Sequence, residues 1–234
     1  MRYLGGKTRN ANAISKVINH SMNGRDYLEP FCGGLSVSVR IESRSMMLSD
    51  IHPGLISLYK DLYNDTFIFP EKVGREEYDA IKNAADYSDP LSVLIGFGLS
   101  YAGKWWGGYD SYYDTRNNVG KTWTMLRSST VKKFKALREK NVTFVCEDYK
   151  KFDPANCVIY CDPPYKNTTS YDFVGDFNHD EFWKTIRHWS SKNTVFVSEF
   201  DAPSDFECVW SAPYKIQMCA EQKSAVEKLF VLRK

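Results

Sequence analysis

The sequence lacks the cysteine and histidine patterns that hold small or metal-bound proteins together. Its six cysteines form no C-x-x-C pair, and a chain of 234 residues needs no disulfide framework, so we expect neither stapling disulfides nor structural zinc. Its four histidines form no cluster with the spacing of metal ligands, so we predict no metal site. We therefore interpret the cysteines as mostly small core residues.

Long apolar runs and an excess of one charge are also missing. Every apolar stretch is well short of the roughly 20 residues that cross a bilayer, and the first seven residues, MRYLGGK, lack the apolar stretch of a secretory signal. With 31 Lys and Arg against 29 Asp and Glu and 43% hydrophobic residues, the composition is that of an ordinary soluble domain. We expect one intracellular domain with an insertion and no membrane contact.

The positive charge is nevertheless concentrated in one stretch. Residues 104 to 140 contain nine basic and three acidic residues, a net charge of +6, and they also contain the aromatic residues Trp105, Trp106, Tyr109, Tyr112, Tyr113, Trp123 and Phe134. Basic residues interleaved with aromatics suit a surface that binds phosphates and stacks on bases. A solvated helix face over core aromatics explains the same composition. The candidate DNA contacts are Lys104, Trp105, Trp106, Tyr109, Arg116, Lys121, Arg127, Lys132 and Lys133.

Strand and helix patterns alternate at both ends of the chain and predict a doubly wound α/β sheet. The patterns favour helices over 10–20, 36–42, 53–62 and 178–189, and strands over 26–30, 46–49, 142–145, 157–161, 194–200 and 227–232. Between 65 and about 140 there are helical patterns and aromatic, glycine-rich loops, with no strong strand. Ligands of such sheets bind at the carboxyl ends of the strands.

The first predicted strand runs into a glycine turn, EPFCGG, at 29–34. Glycine lets the backbone approach a ligand, and a helix after the turn would favour negative charge. Asp50 ends the second strand 17 residues after Gly33, close to the distance at which such folds place an acid on ribose hydroxyls. The spacing suits a nucleoside cofactor. The pattern is not G-x-G-x-x-G, which disfavours the alternative of a nicotinamide-dependent dehydrogenase.

The strongest motif is Asp162-Pro163-Pro164-Tyr165, which follows the apolar strand 157–161. Two prolines stiffen the turn, so that a carboxylate, a free carbonyl and an aromatic ring are held together at the ligand edge. An exocyclic amine is able to donate to Asp162 and to the Pro163 carbonyl while Tyr165 stacks on its ring. The alternative is a proline turn with a surface Asp and a core Tyr. No Pro-Cys pair is present, so we interpret Cys161 as a strand residue and not as the nucleophile of a cytosine-C5 enzyme.

Taken together, these motifs resemble the Dam-like DNA adenine-N6 methyltransferases, including phage-encoded members. The resemblance is carried by YLGGK at 3–7, EPFCGG at 29–34, Asp50 and the motif at 162–165, with a recognition insertion before the last. It implies a Rossmann-like methyltransferase sheet of residues 1–64 and 141–234 and a mainly helical DNA-recognition insertion at 65–140. It also implies a site-specific adenine DNA methyltransferase, EC 2.1.1.72, in the cytoplasm of a bacterium or phage-infected cell.

The resemblance and the residue patterns together assign roles to single positions. The expected cofactor is S-adenosylmethionine, and the partner is double-stranded DNA; neither a metal nor an obligate protein partner is indicated. Cofactor-binding residues are Tyr3, Lys7, Phe31, Gly33, Gly34, Asp50 and Asp162, and catalytic residues are Asp162, Pro163 and Tyr165. Residues 166–170 are candidates for phosphate contacts near a flipped base.

Two departures from the family pattern and two alternatives remain open at this point. Leu35 stands where the family has the last glycine of its Phe-x-Gly-x-Gly pattern, and residues 104–109 resemble only loosely the hairpin that reads GATC. Because the amine of cytosine suits the same geometry, N4-cytosine methylation is the nearest alternative activity. A non-catalytic DNA-binding module is the second alternative.

Overall fold

The computed structural model describes residues 3–112, 114, 120–166, 177–215 and 224–233. Within these ranges, seven strands form one sheet in the order β3-β2-β1-β4-β5-β7-β6. The strands are β1 Asp26–Glu29, β2 Met46–Asp50, β3 Val142–Cys146, β4 Cys157–Cys161, β5 Thr194–Glu199, β6 Phe206–Lys215 and β7 Ser224–Leu232. Strands β1 to β5 pair in parallel, whereas β7 lies antiparallel between β5 and β6.

Six α-helices accompany the sheet in the described part of the chain. They are α1 Ala11–His20, α2 Pro53–Asn64, α3 Arg75–Asn83, α4 Pro90–Gly98, α5 Lys121–Arg138 and α6 His179–Ser190. Helix α6 begins as the sequence predicts, because the Asn178 side chain accepts a hydrogen bond from the Glu181 amide. The predicted doubly wound α/β fold is confirmed.

The strand order reverses between β1 and β4, which are hydrogen-bonded neighbours in the middle of the sheet. Such a reversal opens a crevice at the carboxyl ends of the two strands, since their connections leave in opposite directions. The EPFCGG turn leaves β1 at this edge, and Asp162 follows the last residue of β4. Topology alone therefore brings together two motifs that are about 130 residues apart in the sequence.

Apolar side chains cover both faces of the central strands. In β4 every residue is buried, with Val158 and Tyr160 in the core formed with α1, α2, α4 and α5, and with Ile159 and Cys161 in the core formed with α6. Cys161 is confirmed as a strand residue, and burial raises the pKa of its thiol well above the ordinary value. The sheet thus lies between two helical layers.

Two local predictions differ from the structure. The helix predicted over 36–42 is wrong: a single 3₁₀ turn, Ser38–Arg40, forms there. Val37, Val39 and Ile41 are β-branched, and the Ser38 hydroxyl donates to Glu29, so the segment has little to gain from a helix. The glycine turn consequently has no α-helix after it to favour negative charge. Strand β6 was not predicted, because its polar residues and Pro213 give no apolar alternation.

The segment between 65 and 140 is mainly helical where the structure describes it, as the sequence predicts. Helices α3, α4 and α5 lie in it, together with an isolated antiparallel bridge between Ser100 and Tyr109. Its Phe97, Phe134 and Leu137 join the same core as the sheet residue Leu48. The boundaries of the insertion stay a prediction. No described helix is both long and apolar enough to cross a membrane.

Candidate active site

A cavity of about 480 Å³ lies at the carboxyl edge of β1, β2 and β4. It brings together all the residues that the sequence predicts for the cofactor and for catalysis. They are Tyr3, Lys7, Phe31, Gly33, Gly34, Asp50, Asp162, Pro163 and Tyr165. The volume falls within the range of small-molecule sites, roughly 300 to 1,000 Å³.

Tyr3 packs directly on the glycine turn. A Cβ atom at Gly33 would lie 3.2 Å from Cε1 of Tyr3, and one at Gly34 would lie 3.0 Å from its Cβ. Gly33 has a φ of +37°, which side chains rarely adopt. The ring of Tyr3 also lies 4.7 Å from that of Phe97 in α4. Positions 33 and 34 therefore favour glycine, because a larger side chain at either would press against Tyr3.

Leu35 has a backbone conformation that glycine adopts more readily than leucine. Its φ is +56°, in the left-handed region, while its side chain is fully buried in the core. The favourable burial of an apolar side chain offsets the conformational cost, which is about 1 kcal/mol for a single residue. The turn thus accommodates a leucine at this position.

Asp50 holds the glycine turn from the end of β2. Its Oδ2 accepts from the Gly33 amide at 3.1 Å and its Oδ1 from the His52 amide at 3.1 Å. Burial raises the pKa of Asp50 to about 6, and these backbone donors oppose the rise. The carboxylate is therefore ionised at neutral pH and retains lone pairs for a further donor.

Asp162 forms an ion pair with Lys7 at the centre of the cavity. The Lys7 Nζ atom lies 2.7 Å from Oδ1 of Asp162, and it donates to the Gly5 carbonyl at 3.1 Å. Burial raises the pKa of Asp162 to about 6, whereas Lys7 acts to lower it. Asp162 is thus a half-buried base that is ionised at neutral pH.

Tyr165 completes the motif at the other side of Lys7. Its ring centroid lies 4.5 Å from Lys7 Nζ and 4.7 Å from the Phe200 ring, which meets it edge-on. The hydroxyl donates to Oε1 of Glu227 at 3.4 Å. Tyr165 lines the cavity and is only half-buried, which favours a site residue over the alternative of a core tyrosine.

Sequence reasoning missed Glu227 and Asn10. Glu227 is buried in β7, lines the cavity, and accepts a hydrogen bond from Asn10 Nδ2. One signal was available: Glu227 lies in the same alternating phase of its strand as Leu229, so a charge occupies an inward position. An inward carboxylate is buried only when it is paired.

The predicted DNA contacts divide into exposed and buried groups. Lys104, Lys121, Arg127 and Lys132 are exposed, and Lys104 also lines the cavity. Lys133 is half-buried, its ammonium donates to the Gly34 carbonyl, and burial lowers its pKa to about 8. This contact disfavours a phosphate contact by Lys133, which stays a prediction. Lys166 is exposed, whereas Arg116 and residues 167–170 lie outside the described residues.

The aromatic candidates of the basic stretch pack into the protein. Trp105 stacks on Tyr87 with centroids 4.9 Å apart, and Trp106 meets the edge of Tyr78 at 5.0 Å. Tyr109 is buried and its hydroxyl donates to Asp114. For these three side chains the packing favours core aromatics, the interpretation that composition left open, although Trp105 and Trp106 are only half-buried. Their contact with DNA stays a prediction.

Comparison with known protein families decides the class of this site. The model of the D12 class N6 adenine-specific DNA methyltransferases matches residues 3–90 and 107–202. The chain belongs to this family. The match includes the glycine turn, Asp50 and Asp162, but it ends before β7 and does not include 91–106. Dam-like membership, predicted from the motifs, is confirmed.

Individual relatives share about one residue in four with this chain by sequence identity. The type II methyltransferase M.FokI of Planomicrobium okeanokoites is 24% identical over 92% of this chain, which spans only 38% of that relative. The retron Ec67 DNA adenine methylase of Escherichia coli is 23% identical over 86% of this chain and 76% of its own length. The DNA adenine methylase of Vibrio cholerae is 25% identical, with 73% and 68% covered.

Among solved structures, the rRNA methyltransferase aviRa of Streptomyces viridochromogenes superposes with a TM-score of 0.46 at 11% identity. The superposition covers 96% of this chain and 84% of that one. A likeness of this size is too weak to support an inference about the site.

The residues of the cavity fit the cofactor that methyltransferases use. S-adenosylmethionine presents ribose hydroxyls, an adenine ring, a carboxylate and a sulfonium centre. The ionised Asp50 suits hydroxyl donors, and the Phe31 ring, which packs on Tyr149 at 5.2 Å, offers an apolar wall. Two carboxylates, of Asp162 and Glu227, share the single ammonium of Lys7 in the cavity wall, and the excess of negative charge would suit a cationic sulfonium.

Proposed function

We propose that the protein transfers a methyl group from S-adenosylmethionine to N6 of an adenine that is rotated out of duplex DNA. The observation that carries this proposal is one cavity that joins the Asp162–Tyr165 motif to the glycine turn and Asp50. A nucleoside-binding edge and an amine-binding motif are therefore within one small space. A non-catalytic DNA-binding module needs no such arrangement.

The cofactor is proposed to bind along the ends of β1 and β2. Asp50 accepts hydrogen bonds from the ribose hydroxyls, Phe31 packs on the adenine ring, and the turn at Gly33 and Gly34 allows close backbone approach. Lys7 already has the oxygens of Gly5, Asp162 and Glu227 within 3.6 Å. We therefore assign the cofactor carboxylate to backbone amides, and Lys7 to the placement of Asp162.

The target amine is proposed to donate to Asp162 and to the Pro163 carbonyl while Tyr165 stacks on the base. The cofactor supplies an electrophilic methyl group on a sulfonium sulfur. As the amine lone pair forms the new N–C bond, the C–S electron pair returns to sulfur and the nitrogen becomes positively charged. Asp162 stabilises this charge and accepts the proton that the nitrogen then loses, so positioning and electrostatics supply the acceleration.

The exposed basic residues near the cavity and on α5 are proposed to hold the DNA while the adenine rotates out of the duplex. Extracting a base costs a few kcal/mol of stacking and pairing, which contacts in the cavity must offset. Lys104 is exposed at the cavity wall, and Lys121, Arg127 and Lys132 are exposed on α5. We propose that these four residues bind phosphates around the rotated adenine.

Incubation of unmethylated duplex DNA with the protein and S-adenosylmethionine tests the proposal. Digestion to nucleosides and mass spectrometry should detect N6-methyladenine, and the Asp162→Ala variant should produce none while its circular dichroism matches the parent. N4-methylcytosine in place of N6-methyladenine would show the alternative substrate. DNA binding with no methylated base would favour a binding module.

A further inference from the structure

Glu227 is a buried carboxylate that the family motifs do not include. It is 2% exposed, lies in β7 beyond the residues that the family model matches, and contributes to the cavity wall. Two residues further along the same face of the strand, Leu229 is fully buried among apolar side chains. A charge at such a position costs free energy unless partners compensate for it.

Among the described residues, Glu227 contacts two residues of the active site and one residue at the start of α1. Its Oε1 lies 3.6 Å from Lys7 Nζ and accepts from the Tyr165 hydroxyl at 3.4 Å, while its Oε2 accepts from Asn10. Asn10 occupies the N-cap position of α1 but makes no side-chain cap bond. An Asn at that position ordinarily stabilises the helix by about 1 kcal/mol, so here its amide serves Glu227 instead.

The charge arrangement explains why a second carboxylate is useful. Lys7 lies between two acids, 2.7 Å from Asp162 and 3.6 Å from Glu227. An aspartate paired with an ammonium alone becomes a poor proton acceptor, because the pair stabilises its charged form. Glu227 also faces this ammonium, and its negative charge raises the pKa of Asp162, so that Asp162 stays a stronger base.

We propose that Glu227 is a positioning residue for methyl transfer: held by Asn10, it fixes Lys7 against Asp162 and orients the Tyr165 ring that stacks on the base. This inference rests on the proposed function. Lys7 and Asn10 belong to the N-terminal segment, and Glu227 belongs to a strand 217 residues after Asn10, so the contact also ties that segment to the catalytic turn.

The test compares Glu227→Gln with the parent and with a control, Glu207→Gln, which removes an exposed carboxylate from the adjacent strand β6. In Glu227→Gln we expect kcat to fall about tenfold, with the KM for DNA and cofactor within about threefold, because misplacement of reacting groups lowers kcat first. The acid limb of the kcat profile should move to lower pH, since a charge that raises the pKa of Asp162 is gone. Glu207→Gln should match the parent.

A readout independent of turnover separates this inference from the proposed function. Carbon-13 NMR of labelled aspartate follows the titration of Asp162, which is faced by Lys7, Glu227, Tyr165, Glu199, Glu29 and Tyr160. A lower Asp162 pKa in folded Glu227→Gln supports the contact even if no methylated base is found, in which case only the function fails. An unchanged Asp162 pKa together with normal kcat would overturn the inference.

A second variant covers the case in which Glu227→Gln does not fold. Asn10→Ala removes only the amide that holds Glu227, and it breaks no helix cap bond. We expect kcat to fall about threefold with unchanged cofactor affinity, which corresponds to the loss of a single hydrogen bond. A folded Asn10→Ala variant with the kcat and pH profile of the parent would contradict the positioning role.

Discussion

Lys133 of α5 donates a hydrogen bond from its buried ammonium to the carbonyl oxygen of Gly34 in the turn after β1. The Tyr59 hydroxyl of α2 donates in the same way to the carbonyl of Gly33. Both carbonyls of the glycine pair are therefore held by side chains of helices, and the Gly33 amide is held by Asp50. Lys133, a residue of α5, thus supports the turn that we propose to bind the cofactor.

Substitution of Lys133 should affect cofactor binding, whereas substitution of its neighbour should affect DNA binding. In Lys133→Met the Gly34 carbonyl loses a charged donor, a contact worth about 1.5 to 3 kcal/mol. We therefore expect binding of S-adenosylmethionine, measured by calorimetry, to weaken by roughly tenfold to a hundredfold. Lys132→Met is the matched control, because Lys132 is exposed. Equal cofactor affinities in the two variants would refute the assignment of Lys133.

The exposed basic residues should account for the salt dependence of DNA binding. Each phosphate contact that is lost reduces the slope of log K against log salt by about 0.9. Conversion of Lys121, Arg127 and Lys132 to Gln should therefore reduce the slope by roughly 2 to 3 and weaken binding of all sequences. Lys184→Gln, an exposed change on α6, is the control. If both variants keep the parental slope, the DNA lies on another surface.

The buried Glu29 should make stability depend on pH. Burial raises its pKa from 4.5 to about 8, while the hydroxyls of Ser38 and Tyr27 oppose the rise. The folded state then binds the proton more tightly than the unfolded chain, so stability falls as pH rises from about 4.5 to about 8. Relative to the parent, Glu29→Gln should gain stability across that window. Urea unfolding at pH 5 and pH 8 measures the difference, and parallel curves would exclude it.

Turnover should fall below pH 6 as Asp162 becomes protonated. Its pKa is raised to about 6 by burial, so the carboxylate that the mechanism needs is present above that value and lost below it. Asp50, raised to a similar value, would affect cofactor binding instead. Measurement of kcat at saturating cofactor separates the two groups. A rate that stays constant down to pH 4.5, with the fold intact by circular dichroism, would remove Asp162 from its role as proton acceptor.

Local sequence patterns determined most strands of the sheet and the motif residues that line the cavity. Strand β4 is a short apolar run, and Asn178 with Glu181 is a helix start; both signals lie within a few residues and were confirmed. Parallel strands end at one edge, so motifs placed after β1, β2 and β4 had to converge there. That reasoning brought Asp50, Gly33 and Asp162 into one site without any knowledge of their distances.

Tertiary structure alone decided which charged residues are buried and what holds them. Lys132 and Lys133 are adjacent and alike in sequence, yet one faces solvent and the other donates to a carbonyl 99 residues away. Glu227 becomes part of the site only because β7 inserts between β5 and β6 and so faces the N-terminal segment. Such contacts depend on long-range packing. The alternation of β7 shows that Glu227 stands at an inward position, but neighbouring residues do not show which side chains face it.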